Sequence, residues 1–395
     1  MQIGWIDFSK EDRDKAVSVL DLLSEQGVLD ELGIAPIRDG FSNLFFPGIT
    51  TIQTRAKYFL MIPYIFQHLE SNTSNDPYKL KKELNDLEKE CASLLVNSGA
   101  TRVIGSNSFD NPQWVKRPPS SIYWAGLKTY RIFKYDISID QYIRKICSRN
   151  YLKESIAKSG NFKDNYSAGD IPSSDYWSIS YPGKDWMENL EMGLTKKEGE
   201  FLKSQIIKSC PNSLFAFILK NDCRCILNCN SFSDLADMSE KFPHELKTKV
   251  ELAKCFSEFN SVLGILFNSI ISDDEKVEES FLEIKPRLKN ISEIRLESIF
   301  HLFKKRDGNL ERFLLGARDL MAEEKIDELK DLIKKREIYL KGENRSKTFR
   351  PEQNKDNLIS VYDLEYRFDI AKIIADDIFK SQDIYEDKCL TKGEY

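Results

Sequence analysis

Hydrophobic positions along this chain recur mainly at helical spacing. Ser9-Lys-Glu-Asp12 reads as a capping-box variant that opens a helix. Ala16, Val19, Leu20 and Leu23 follow the repeat, and Gly27 is a stop. Pro36 suits the first turn of a second helix, with Ile37, Phe41, Leu44 and Phe45 on one side. Pro47-Gly48 ends it. Thr50 or Thr51 is then expected to cap a third helix. That helix runs into the apolar stretch Tyr58 to Phe66, where Pro63 should kink or interrupt it by removing an amide donor.

Residues 71–78 read as a loop, Lys79 to Leu95 as a charged helix, and residues 97–113 as irregular chain. Pro118-Pro119 is extended, and Ser120 or Ser121 caps a helix toward Tyr130. Thr195-Lys-Lys-Glu198 is a full capping box for a helix ending near Cys210-Pro211. Ser213 to Lys220 is a short apolar run whose periodicity fits helix and strand alike. Glu245 to Lys341 is helical and heavily charged, with breaks near Pro286 and Gly308. Residues 342–357 read as a polar linker. Leu364, Phe368, Ala371, Ile374 and Ile378 mark a terminal amphipathic helix.

These patterns predict a mostly α-helical protein with minor β strands. The expected organisation is an N-terminal helical unit over 1–150, an irregular connector over 151–190 that is rich in Asn, Ser, Gly and Tyr, and a C-terminal helical unit over 191–395. Composition agrees. Of 395 residues only 18 are Gly and 13 Pro, few for a turn-rich β protein. No apolar run approaches the length of a membrane span, and the start lacks a secretory pattern. Eight Cys in a chain this long are no disulfide scaffold. The expectation is a soluble cytoplasmic protein with reduced thiols and no membrane partner.

The net charge of −5 is unevenly placed. Residues 40–135 hold twelve bases and seven acids, while the flanking stretches are acidic. Two windows lack Asp and Glu altogether. Gly40 to Leu69 carries Arg55 and Lys57. Asn111 to Tyr135 carries Lys116, Arg117, Lys128, Arg131 and Lys134, interleaved with Trp114, Tyr123, Trp124, Tyr130 and Phe133. Cations neutralise phosphates and aromatic faces stack on bases. The plainer alternative is that the aromatics are core and the cations simply solvated. A helix-turn-helix over residues 10–62 would present Thr51, Gln53, Thr54, Arg55 and Lys57 at the start of a recognition helix. The apolar half that follows opposes groove insertion.

Catalytic patterns are sparse. There is no phosphate-binding loop, dinucleotide fingerprint, His-Glu-x-x-His or Gly-x-Ser-x-Gly, and only three His. Cys223, Cys225 and Cys229 lie close in sequence but lack paired Cys-x-x-Cys spacing, so buried thiols are the stronger reading than zinc. Asp273, Asp274 and Glu283-x-Lys285 resemble a metal-dependent nuclease pairing, in a context that reads helical rather than as adjacent strands.

The stretches "GWIDFSKEDR", "DELGIAPIRDGFSNLFFPGITTIQTRAKYF", "RPPSSIYWAGLKTYRI", "YPGKDWMENLEMGLTKKEGEFL" and "DLEYRFDIAKIIADDI" resemble successive blocks of a bacterial protein family of unknown function. The resemblance runs nearly end to end and implies no established activity, fold or catalytic residue. It implies a setting near anti-phage defence genes such as helicases and phospholipase-D-like nucleases. The resulting expectation is a non-catalytic subunit of a defence complex, without cofactor or metal. It would bind DNA, or a helicase or nuclease subunit, through Gln53, Arg55, Lys57, Lys116, Arg117, Lys128 and Arg131. The alternatives are a divalent-metal carboxylate enzyme such as a nuclease, and a purely protein-binding scaffold.

Overall fold

The computed structural model describes residues 30–71, 74–111, 114–159, 176–188, 190–303 and 307–383. The expected helix from Ser9 to Gly27 and most of the Asn- and Ser-rich connector lie outside them. The α-helices are α1 (Ala35–Phe45), α2 (Tyr58–Glu70), α3 (Pro77–Asn97), α4 (Pro119–Thr129), α5 (Ile139–Ser159), α6 (Lys196–Ser209), α7 (Leu214–Lys220) and α8 (Phe232–Asp237), followed by α9 (His244–Ile271), α10 (Glu275–Ile284), α11 (Leu288–Ile291), α12 (Leu296–His301), α13 (Gly308–Ala322), α14 (Ile326–Lys341) and α15 (Phe368–Asp383). The protein is mostly α. Among the described residues β pairing is confined to one isolated antiparallel bridge, Phe133 with Trp177.

Packing divides the chain into two compact units, each built from two separated stretches. Arg38–Lys254 and residues 364–383 form the larger; residues 30–37 and Cys255–Asp363 form the other. This partition is interleaved along the sequence. The reason is α15. Its apolar stripe (Phe368, Ala371, Ile374, Ala375, Ile378) is buried in the larger unit, where it packs along α6. That contact is close: a Cβ at Gly199 would lie 1.8 Å from Ser381 Oγ.

In the larger unit, α2 is the central helix. Every residue from Tyr58 to Phe66 is buried, and α2 packs against α3 and α4. The helix runs through Pro63 without interruption, held by packing on all sides despite the missing amide. It starts at Tyr58, later than a Thr50 or Thr51 cap requires; residues 50–57 are turns and irregular chain. On α3 the buried residues Leu80, Leu84, Glu88, Cys91, Ala92 and Leu95 form one stripe, with Asp76 Oδ1 accepting from Tyr78 N at the start. Ser213 to Lys220 resolves as α7, capped by Ser213 Oγ accepting from Ala216 N at 3.1 Å. The Thr195–Glu198 capping box is present in full.

Two aromatic clusters fill this unit. Phe66, Trp124, Phe133, Tyr142 and Trp177 pack around the isolated bridge. Phe41, Phe45, Phe46, Phe215, Phe232, Tyr366 and Phe368 form the other.

In the other unit α13 packs on α14 through Leu310, Phe313, Leu314, Ala317 and Met321. The buried Arg336 donates to Leu32 O at 2.9 Å and lies over the Phe313 ring. The fully buried Glu337 accepts from Ser346 Oγ, Thr348 Oγ1 and the amides of Lys347 and Thr348 at 2.7–3.0 Å. The expected polar linker at 342–357 is therefore tied down by a buried carboxylate, with Ser346 and Thr348 themselves buried.

Candidate functional site

The segment from Phe46 to Lys57 carries three of the seven expected binding residues. It lies outside any helix, and side chains supplement its few backbone turn bonds. Gln53 is 1% exposed. Its Oε1 accepts from Thr50 N at 3.3 Å and its Nε2 donates to Gly48 O at 3.0 Å, bracing the turn from inside. The Tyr123 hydroxyl accepts from the amides of Thr54 and Arg55 at 2.8 and 3.0 Å and donates to Arg55 O at 2.9 Å.

Arg55 aims its guanidinium at Asp377 of α15, with contacts of 2.8–3.0 Å. Ala56 N donates to the same carboxylate at 2.8 Å. The side chains of Arg55 and Asp377 are 19% and 5% exposed. Lys57 Nζ meets both Glu198 oxygens, at 2.8 and 2.9 Å, and its side chain is 8% exposed. Glu198 Oε2 also accepts from Thr195 N at 2.8 Å, so one carboxylate closes the α6 cap and holds Lys57. The expected helix-turn-helix is not formed over 51–57: those residues are outside any helix, and Gln53 and Lys57 face the interior. The acid-free window of the sequence receives its acids from residues 198 and 377.

The other four residues flank α4. Lys116 is exposed and Arg117 half-buried, both just before the helix. Lys128 pairs with the exposed Asp136 at 2.7 Å in its last turn. Arg131 is exposed just beyond, with left-handed backbone (φ 53°). Ser178 Oγ donates to its carbonyl at 2.7 Å. Eleven helical residues span about 16 Å, so Lys116 and Arg117 stand at one end of α4, Lys128 and Arg131 at the other. The interleaved aromatics do not accompany them outward. Trp114, Tyr123, Trp124, Tyr130 and Phe133 are all core.

Among the carboxyls that the sequence reading did not single out are the buried Glu88 and the half-buried Glu70. Glu88 lies on the apolar stripe of α3. Its Oε1 accepts from Ser120 N at 2.6 Å, in the first turn of α4, while Oε2 has no partner among the described residues. This distant acid, rather than Ser120 or Ser121, serves the start of that helix. Burial pushes its carboxyl up to about 7. The sequence signal was an acid at stripe spacing between Leu84 and Cys91. Glu70 accepts from the Tyr142 hydroxyl and from Trp177 Nε1 and Arg149 Nη1, and burial still raises it. No local pattern marks Glu70; its partners come from residues 142, 149 and 177.

No group of three or more His, Cys, Asp or Glu gathers as a metal site among the described residues. Asp274 caps α10, accepting from Lys276 N at 3.0 Å, and Glu283 lies on α10. Cys225 is exposed, whereas Cys229 is buried with its Sγ 3.6 Å from Met238 Sδ. Burial raises the thiols of Cys223 and Cys229. No helix among the described residues is long and apolar enough to cross a membrane.

Residues 1–222 match a family described as "Family of unknown function (DUF6361)". No curated protein and no solved structure matches.

Proposed function

We propose that this chain, which belongs to the DUF6361 family, acts as a non-catalytic subunit of a bacterial anti-phage defence assembly, binding DNA or the DNA-bound enzyme through the cations that flank α4. The observation that carries the reading is a division of labour over residues 111–135. This stretch has no acidic residue; its aromatics other than the exposed Tyr135 are interior, and Lys116 and Arg131 are exposed at opposite ends of one helix. Lys116, Arg117, Lys128 and Arg131 meet phosphates, with the two pairs about 16 Å apart along the duplex surface. Such contacts position a duplex without reading its sequence. Gln53, Arg55 and Lys57 take a structural part instead, because they hold the turn before α2 against Gly48, Asp377 and Glu198. The class of assembly comes from the resemblance to bacterial proteins encoded beside defence helicases and nucleases.

The test is a titration of the full chain against labelled duplex and single-stranded DNA, at low and moderate salt, with and without Mg²⁺. The expected result is salt-sensitive binding without cleavage, with log affinity falling against log salt at a slope of about −3 for three to four phosphate contacts. A triple Lys116→Glu, Arg117→Glu, Arg131→Glu variant should lose at least tenfold in affinity with its circular dichroism unchanged. Mg²⁺-dependent cleavage would replace this reading with the carboxylate-enzyme one. Absence of binding at low salt would leave the protein-binding scaffold.

A further inference from the structure

We propose that the groove between α6, α7 and the first turns of α9 docks a short acidic peptide segment of a partner protein, seated by one apolar side chain. This inference needs no nucleic acid and stands apart from the DNA-binding reading.

A cavity of about 370 Å³ opens between these helices. Its floor is apolar, formed by Ile207, Ala216, Phe217 and Leu246. Pockets of this size take one compact apolar group. A second, more open cleft of about 460 Å³ lies beside Lys203, Ser204, Lys208 and Gln382 and shares Ile207 with the first. Glu200, Lys203, Ser204 and Ile207 recur at helical neighbour spacing, so the two clefts follow one face of α6. The seven helical rises from Glu200 to Ile207 make that face about 10 Å long. An elongated groove with one deeper apolar seat suits an extended or helical peptide better than a compact ligand.

Charge decides which peptide. Lys203, Lys208 and Lys220 line the groove and have no hydrogen-bond or ion-pair partner among the described residues. Of the two acids on the lining, Glu245 is already held by Lys249 at 2.8 Å, and Glu200 stands at the far end. The exposed Arg131 adds to the same sign nearby: Ser209 Oγ, at the end of α6, donates to Tyr130 O at 2.9 Å. Three cations unpaired among the described residues, set around an apolar seat, favour Asp or Glu on either side of a Leu, Ile or Phe anchor, and steer such a segment during encounter.

The test selects twelve-residue peptides from a random display library on the full-length protein, then measures synthetic winners by fluorescence anisotropy. The expected winners carry an apolar residue flanked by Asp or Glu and bind more weakly as salt is raised. Ile207→Asp should lower their affinity at least tenfold, and so should the combined Lys203→Glu, Lys208→Glu, Lys220→Glu variant. The lysine variant keeps the test sharp should Ile207→Asp perturb folding, because it changes no buried side chain. Three results would overturn the proposal. They are an absence of an acidic-apolar consensus, winners that keep their affinity in the lysine variant, and loss of duplex DNA binding on Ile207→Asp with no peptide binding, which makes the groove a nucleic-acid surface.

Discussion

Two acid-free stretches of this chain, 40–69 and 111–135, look alike in sequence and differ in space. In the first, Arg55 and Lys57 turn inward onto Asp377 and Glu198. In the second, Lys116 and Arg131 remain exposed at the ends of α4. Charge counted along a window therefore says little about surface potential when the compensating acids lie 141 and 322 residues away. The inward pairs close the irregular segment 50–57 against α6 and α15 and give its amides acceptors they would otherwise lack.

Breaking the inward side should have the largest effect. Asp377→Ala leaves the Arg55 guanidinium and Ala56 N without their acceptor. It should cost about 4 kcal/mol in urea unfolding, in the range for removing one partner of a desolvated pair. A loss under about 1 kcal/mol would mean that the pair does not hold the segment.

Glu88 gives a pH version of the same comparison. Its carboxyl is raised by burial from an ordinary 4.5 to about 7. The protonated form is therefore the one the fold favours. Its stabilising contribution is complete below about pH 4.5 and is lost as the pH rises through about 7. The wild type should lose about 3 kcal/mol between pH 4.5 and 8 relative to Glu88→Gln, at 1.36 kcal/mol per unit. Parallel pH profiles for the two proteins would refute a titrating Glu88.

Gly199→Ala probes the contact that brings Asp377 into place. The new methyl meets Ser381, so a cost of about 2 kcal/mol is expected from overpacking, with partial recovery in the Gly199→Ala, Ser381→Gly double variant. No recovery would place the strain elsewhere.

Replacing Lys57 and Glu198 together by Met and Leu should change stability by about 1 kcal/mol or less, because a buried ion pair often does no better than apolar groups of its size. Lys57→Met alone should be clearly worse than the double variant. The smallest effect is expected on the outward side. Lys116→Ala and Arg131→Ala should leave the urea midpoint unchanged while weakening DNA binding. A shifted midpoint would make these residues structural and cancel the contrast.

Local chemistry was legible where it acts over a few residues. The Thr195–Glu198 capping box, Pro36 in the first turn of α1, and the α15 stripe from Phe368 to Ile378 all stand as the pattern predicts. The start of α2 was misplaced because Thr50 and Thr51 look like caps, while Gln53 and Tyr123 in fact satisfy the turn before it. Residues 342–357 read as a linker because nothing local announces that Glu337 will collect their amides and hydroxyls. Of the expected binding residues around α4, Lys116 and Arg131 are exposed, Lys128 pairs with the exposed Asp136 and Arg117 is half-buried. The other three could not be told from them, since Arg55 and Arg131 are the same side chain until a partner arrives.

The sequence by itself determined a mostly helical protein, because helical repeats and caps are set by neighbours three or four residues apart. Only the tertiary structure decided which cations are buried, which carboxyl is raised and which stretches share a unit. Those depend on groups brought together from opposite parts of the chain, and no local spacing encodes the meeting of Arg55 with Asp377, Lys57 with Glu198 or Glu88 with the first turn of α4.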